Sequence, residues 1–315
     1  MLQVLKQIRD NLQIISVPHF PLEGEDYCID NSLKVQAISE VLNKLGIDYV
    51  VDDRYGIIVA KDINKLKVSH QNRLNKAIKK RLESVDLILT SHIDMISKFN
   101  NFEVLNKFKE EISKLNNENE SISGPLDNTI TNAILLALLK SRKEACSDNL
   151  DDVMVIFSIG EEMLKERGFK ENGGIKNFMK KFNGDINDNV KFINLDVSAN
   201  EYHEYRNDTD IAVLIEYDDN SYPHKVDKSG KYSKLDFFKD GDILANVLFC
   251  DYGEDGTSDD LEEVTAYEET FGITLGLNTY GTIHSKSNST SIKNINVYFN
   301  QLNKFFENKL FRPNL

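Results

Sequence analysis

Four stretches of this chain are apolar runs of strand length rather than alternating patterns: "VDLILTS" (85–91), "DVMVIFSIG" (152–160), "VKFINLDVS" (190–198) and "GITLGLN" (272–278). A strand that is apolar on both faces has to be covered on both faces. Segments with helical periodicity lie between these runs, notably "DNTITNAILLALLKS" (127–141) and "IKNINVYFNQLNKFFENKL" (292–310). Strands alternating with helices dictate an α/β fold: three α-β-α layers around a mostly parallel, mixed central sheet. In such sheets ligands bind beyond the carboxyl ends of the strands. That edge is therefore the place to look for chemistry.

The remaining elements fit this frame. "MLQVLKQIRDNLQII" has Leu2, Leu5, Ile8, Leu12 and Ile15 roughly on one helical face. Residues 30–46 read as a helix capped at Asp30 or Asn31 and stopped by Gly46. "IDYVVDDRYGIIVAKD" reads as a hairpin turning at 53–56, and "DIAVLIEY" and "ILANVLF" as further strands. Residues 62–83, 95–125 and 199–240 are polar insertions. The whole of 1–315 is expected to form one catalytic domain without a separate lid. No run of about 20 apolar residues is present, so no membrane span is expected. Charges interrupt the N-terminal helix and no small-residue cleavage site follows it, which argues against a leader. The net charge of −13 argues against nucleic-acid binding. Cys28, Cys146 and Cys250 form no CxxC pair, so a disulfide framework and a thiolate metal site lack support, and the cytoplasm is the expected location.

Chemistry-bearing residues follow the buried strands in a regular way. His92 and Asp94 come after "LILT", Glu161 and Glu162 after "VMVIFSIG", Asp196 after "FINL", and His284 after "GITLGLNTYGTI"; Asp127 precedes the buried helix. Each has a plain reading when taken singly. His92 would be a satisfied core histidine, Asp127 a helix N-cap, Glu161 and Glu162 the solvated first turn of a helix, and Asp196 a loop acid. Jointly these readings fail. So many carboxylates on one sheet edge repel one another unless cations lie among them, and a pair of divalent metals meets that need.

The ordered series His-x-Asp, Asp-Asn, Gly-Glu-Glu, Leu-Asp-Val, His-Ser resembles the co-catalytic di-zinc exopeptidases, which include aminopeptidases, carboxypeptidase-like enzymes and deacylases. The likeness runs from the first helix to the last. Weaker echoes are "GTSDD" (256–260) and "FGITLGL" (271–277), with Thr274 where proline is usual.

The resemblance implies a phosphorylase/hydrolase-like zinc peptidase fold and two divalent ions, zinc or else cobalt or manganese. It implies that Asp127 bridges both ions, that His92 and Asp196 complete the ligands of one, and that Glu162 and His284 complete those of the other. Asp94 would orient His92 through the other ring nitrogen. Glu161 would be the general base acting on a metal-bridging water. A cis peptide after the bridging Asp127 is a further family feature.

Spacing narrows the branch. Only 35 positions separate His92 from Asp127, too few for the insert that builds tetrahedral aminopeptidase shells. The 88 positions between Asp196 and His284 leave little beyond strands for a dimerisation domain. The expected enzyme is a metal-dependent exopeptidase of the single-domain aminopeptidase type, acting on short peptides or amino-acid amides. The alternatives are a deacylase or dipeptidase of the same chemistry, or a non-catalytic binding protein. Asn128 and Asn288 stand where relatives often carry acids. Tyr202, His203, Tyr205, Tyr222 and His224 are candidates for lining a pocket, or plain surface loops, and Arg206 is the obvious arginine near the site for a substrate with a free carboxylate. Substrate-binding residues and oligomeric state are not legible.

Overall fold

The computed structural model describes residues 2–19, 29, 32–63, 71–115, 120–145, 150–162, 173–187, 190–199, 211–217, 244–251, 260–267 and 271–307. The helices are α1 (Leu2–Ile15), α2 (Leu33–Leu45), α3 (Gln71–Leu82), α4 (Phe102–Lys114), α5 (Thr129–Ala145), α6 (Gly174–Phe182), α7 (Asp260–Thr265) and α8 (Ile292–Glu307). The strands are β1 (Tyr49–Asp52), β2 (Gly56–Val59), β3 (Leu87–His92), β4 (Ser121–Ser123), β5 (Val153–Ser158), β6 (Lys191–Ala199), β7 (Val213–Tyr217), β8 (Val247–Asp251), β9 (Phe271–Thr279) and β10 (Ser289–Ser291).

One eight-stranded sheet runs in the order β1-β2-β5-β3-β6-β9-β7-β8. Its centre, β5-β3-β6-β9, is parallel throughout, as the apolar runs require. Antiparallel pairing appears only towards the edges, at β1-β2, β2-β5 and β9-β7. Two apolar layers cover the faces. Residues of α1, α2, α5 and α8 pack on the odd-numbered positions of β3, such as Leu87 and Leu89. Residues of α3, α6 and α7 pack on Ile88 and on Met154 and Ile156 of β5.

Helix α5 is buried from Thr129 through Leu139, so it lies under the surface with apolar contact all round. Its neighbour α2 starts later than the sequence suggests, past both Asp30 and Asn31. Ser32 is the cap, its Oγ accepting the Val35 N–H at 3.3 Å, and Gly46 ends the helix with φ of 63°. The hairpin sits where expected, with Asp52 opposite Gly56. Among the described residues no helix is long and apolar enough to cross a membrane. The expected insertions are partly visible: α3 within 62–83, and α4 with β4 within 95–125. Residues 200–210 and 218–243 lie outside the described part, and with them the candidate pocket residues of those loops.

Candidate metal centre

Strand β3 delivers His92 at its last position, opposite the last residue of β5 and beside β6. Two contacts hold the strand end. The Ile93 N–H donates to the Ser158 carbonyl at 2.9 Å, and Asn132 Nδ2 on α5 donates to the His92 carbonyl at 2.8 Å. Ile93 is fully buried, which turns the next side chain into the core. His92 Nδ1 lies 3.2 Å from the Asp94 backbone carbonyl. A carbonyl can only accept, so Nδ1 carries the hydrogen, and in the neutral ring Nε2 keeps its lone pair. That Nε2 faces Asp127 Oδ1 at 3.1 Å and Glu161 Oε2 at 3.8 Å.

The sequence reading has the Asp94 carboxylate orienting His92. The geometry differs: Asp94 Oδ1 stands 3.8 Å from Nδ1, beyond hydrogen-bond reach. The carboxylate instead accepts backbone N–H groups from Gly160 at 3.1 Å, Glu161 at 3.4 Å and Glu162 at 2.8 Å. It gathers the turn after β5, where Gly160 has φ of 79°, a conformation glycine adopts without penalty. Asp94 thereby fixes the backbone from which Glu161 and Glu162 project, while its own main chain orients the imidazole.

Asp127 sits two residues before α5, and the Asp127–Asn128 peptide is cis. Thr131 Oγ1 donates to Asn128 Oδ1 at 2.9 Å and holds that corner. The two carboxylate oxygens of Asp127 face different partners. Oδ1 faces His92, and Oδ2 lies 2.8 Å from His284 Nε2. The same His284 nitrogen is 2.5 Å from Glu162 Oε1. His284 comes from the loop between β9 and β10, with φ of 62°. That loop is closed by paired backbone bonds between Tyr280 and Ser289, and Asn288 Nδ2 braces it from inside on Thr279 Oγ1 at 2.9 Å and the Gly281 carbonyl at 3.2 Å.

Asp196 lies in β6, two positions beyond the Thr90–Asn194 pairing, level with His92 on the adjacent strand. Its charge reaches that imidazole. The structure therefore brings His92, Asp127, Glu161, Glu162 and His284 into contact distance and sets Asp196 on the neighbouring strand at the same height.

The electrostatics are those of crowded acids. Burial pushes the Glu161 carboxyl up to about 9; His92 draws it down, and Glu162, Asp127 and Asp94 push it further up. Burial would lower His92, but the charges of Glu161, Asp127 and Asp196 raise it well above its ordinary value. Burial also opposes charge on His284, yet its bonds to Asp127 and Glu162 carry it to about 10. Burial disfavours charge on Asp127 as well, and the two imidazoles outweigh that and hold its carboxyl well below the usual carboxylate range. In the metal-free chain the acids facing the two imidazoles therefore favour their charged forms.

The residues present fit a divalent metal. Ligand atoms of His92, Asp127 and Glu162 all lie within 4.8 Å of one another. Asp127 Oδ1 is buried and has no assigned hydrogen-bond partner among the described residues, although His92 Nε2 lies 3.1 Å away. Imidazole with carboxylate is a donor set suited to zinc and its neighbours.

One functional candidate was not legible from motif reasoning. Lys34 is fully buried, and its Nζ donates to Thr129 Oγ1 at 2.8 Å, beside the Asp127 corner. A signal existed in the pattern: Lys34 takes the first place on a stripe that continues with Ile38, Val41 and Leu45. His19 is also buried, its Nδ1 3.0 Å from Ser32 Oγ. Outside the described residues lie His70, His203, His224, Arg206, Gly168 and residues 256–259 of "GTSDD".

No family model matches the chain and no curated protein shows a significant match. Solved structures do match it over nearly its whole length. A TET aminopeptidase from the marine sediment archaeon Thaumarchaeota archaeon SCGC AB-539-E09 superposes with a TM-score of 0.58 at 10% identity, covering 97% of this chain and 96% of that one. Aminopeptidase APDkam598 from Desulfurococcus kamchatkensis gives 0.55 at 13% identity, over 97% and 94% of the two chains. The TET1 peptidase of Pyrococcus horikoshii, described as assembling into a tetrahedron or a large octahedral shell, gives 0.52 at 11% identity, over 96% and 98%. At such identities the likeness is one of fold: the chain shares the α/β fold of TET-type aminopeptidases, with a mostly parallel central sheet flanked by helices.

Proposed function

We propose that this protein is a metal-dependent exopeptidase, an aminopeptidase acting on short peptides, with Glu161 as its general base. The observation that carries this reading is the double reach of Asp127. One oxygen faces His92 and the other His284, so a single carboxylate stands between two sets of ligand atoms. His92 and Asp196 would hold one divalent ion with Asp127, and Glu162 and His284 the other. When bound, such ions polarise a scissile carbonyl and make an attacking water more acidic.

The protein groups supply the rest. Glu161 has one side towards His92 and a side chain 21% exposed, so it is reachable from solvent without being solvated. Its carboxylate accepts the proton that the attacking water loses and passes it to the amine nitrogen of the leaving group. Asp94 keeps the Glu161 backbone in register through the three N–H groups it accepts.

The test is hydrolysis of aminoacyl amides and short peptides by protein loaded with zinc, cobalt or manganese, with N-acyl amino acids as a parallel series. Turnover of free-amine substrates over N-acyl ones supports the aminopeptidase reading. Absence of amide turnover in metal-loaded protein overturns it. Glu161→Gln should retain metal and lose at least about 10²-fold in rate, because it removes only the proton carrier.

A further inference from the structure

Lys34 breaks two local rules at once. It lies in the first turn of α2, two residues past the Ser32 cap, where the helix macrodipole disfavours a cation. It is also fully buried, where lysine is almost never found without a partner. Its hydrogen bond goes to the neutral hydroxyl of Thr129 at 2.8 Å, and among the described residues no carboxylate pairs with it directly. The charges that act on it at longer range are those of Asp94 and Asp127, both at the metal centre. Burial lowers its pKa to about 8 and those two carboxylates pull it back upward, so the ammonium persists at neutral pH.

We propose that Lys34 is a charge-balancing positioning residue of the metal centre: a fixed ammonium behind the Asp127–Thr129 corner that offsets the one carboxylate charge two divalent ions leave uncompensated. The inference rests on the metal reading above. Once bound metal keeps them ionised, Asp94, Asp127, Glu161, Glu162 and Asp196 would carry five negative charges at the edge of the sheet, against four positive ones on two divalent ions. Lys34 closes the difference from inside the protein, where no mobile counterion can follow. It does so without touching a ligand, through the hydroxyl of the first residue of α5.

This placement has a consequence that a purely structural lysine would not have. A positive charge near the centre repels incoming cations, so removing it tightens metal binding. A residue that merely braced α2 against α5 would weaken binding when removed, or leave it unchanged.

The experiment measures zinc and cobalt affinity of the full chain by competition with a chelator. Lys34→Met keeps the aliphatic stem and deletes the charge. Thr129→Asp keeps the lysine and neutralises it with an adjacent carboxylate, at a helix start where an acid is tolerated. Each should bind the metal at least about tenfold more tightly than the parent chain, from the lost repulsion in a low-dielectric surround. Thr129→Val deletes the hydrogen bond and keeps the ammonium, and should show no tightening. Circular dichroism establishes which variants fold, and either charge-removing variant suffices. Weaker or unchanged affinity in a folded Lys34→Met or Thr129→Asp protein overturns the proposal. A parent chain that binds neither metal overturns the metal reading itself, a different result.

Discussion

The two histidines of the centre belong to regions built in different ways. His92 ends a buried strand in the parallel core, with its side chain 3% exposed, its carbonyl held by Asn132 and its Nδ1 held by the Asp94 carbonyl. His284 stands on a loop between β9 and β10, with its side chain 38% exposed and a backbone φ of 62°. The first is positioned by apolar packing on both faces of the sheet. The second depends on a few polar contacts closing its loop. Asp127 is where the two meet, one oxygen to each. A centre assembled this way has a preformed half in the core and a half that its loop must complete.

The largest expected effect comes from removing the shared member. On the proposed reading Asp127→Ala takes a ligand from both halves, so neither ion should be retained. The loss in affinity should exceed about 100-fold, since outer-shell partners alone account for 10–100-fold. Zinc content after dialysis checks it. Retention of one tightly bound equivalent would show that the core half holds metal without Asp127, and would break the picture of a shared carboxylate.

Proton linkage gives the next effect. In the metal-free chain both imidazoles are raised, His284 to about 10, and ligation needs them neutral. Metal loading near neutral pH should therefore release protons. Apparent affinity should rise with pH, by up to about tenfold per unit for each proton released. The stability of the metal-free chain has the opposite sign. A His whose folded pKa lies above its unfolded value stabilises fully below about 6.5 and loses that contribution as pH rises towards about 10. The raised Glu161 carboxyl acts in the same direction between about 4.5 and about 9. Thermal melts across that range should fall with pH without metal. Calorimetry in buffers of different ionisation enthalpy counts the protons. Loading without proton release would show that the imidazoles are neutral before metal arrives.

A smaller effect separates the halves. Asn132 Nδ2 holds the strand end at His92, and Asn288 Nδ2 holds the loop that carries His284. Each Asn→Ala change removes buried hydrogen bonds worth about 1–3 kcal/mol when the partner is left unsatisfied. Asn132→Ala should lower the melting temperature, because Asn132 ties α5 to β3 within the core. Asn288→Ala should leave the melting temperature nearer the parent's and weaken metal binding more. Equal effects of the two on both readouts would erase the distinction between preformed and loop-completed halves.

The same division explains what could be read from the chain. The centre of the sheet was legible because strands buried on both faces must be apolar runs, and "LILT", "VMVIFS" and "FINL" leave little else to form. The strand-end residues followed from topology, since parallel strands carry their carboxyl ends to one edge. The antiparallel join of β7 to β9 was not legible, because strand direction depends on the path of connections and not on residue type. Lys34 escaped notice because helical periodicity assigns a stripe position to the core but does not say when a charge occupies it. The expected partner of Asp94 was wrong in detail for a related reason. A carboxylate two residues from a histidine satisfies a motif through its side chain or its backbone, and only folding decides which.

That detail yields the finest prediction. If the Asp94 side chain oriented His92, Asp94→Asn would loosen the core half and metal would be lost in step with activity. The geometry instead gives the carboxylate to the N–H groups of Gly160, Glu161 and Glu162. An Asn at this position keeps one acceptor oxygen and turns an NH₂ group towards backbone donors, so the turn must shift. His92 keeps its bond to the residue 94 carbonyl, which the substitution does not alter. The variant should hold a parent-like amount of zinc while its rate falls by about 10-fold, within the range of outer-shell changes. The loss should appear in kcat more than in KM, because it is Glu161 that moves. Zinc lost in proportion to rate would return Asp94 to the role its motif suggested, and would make the core half less preformed than its burial implies.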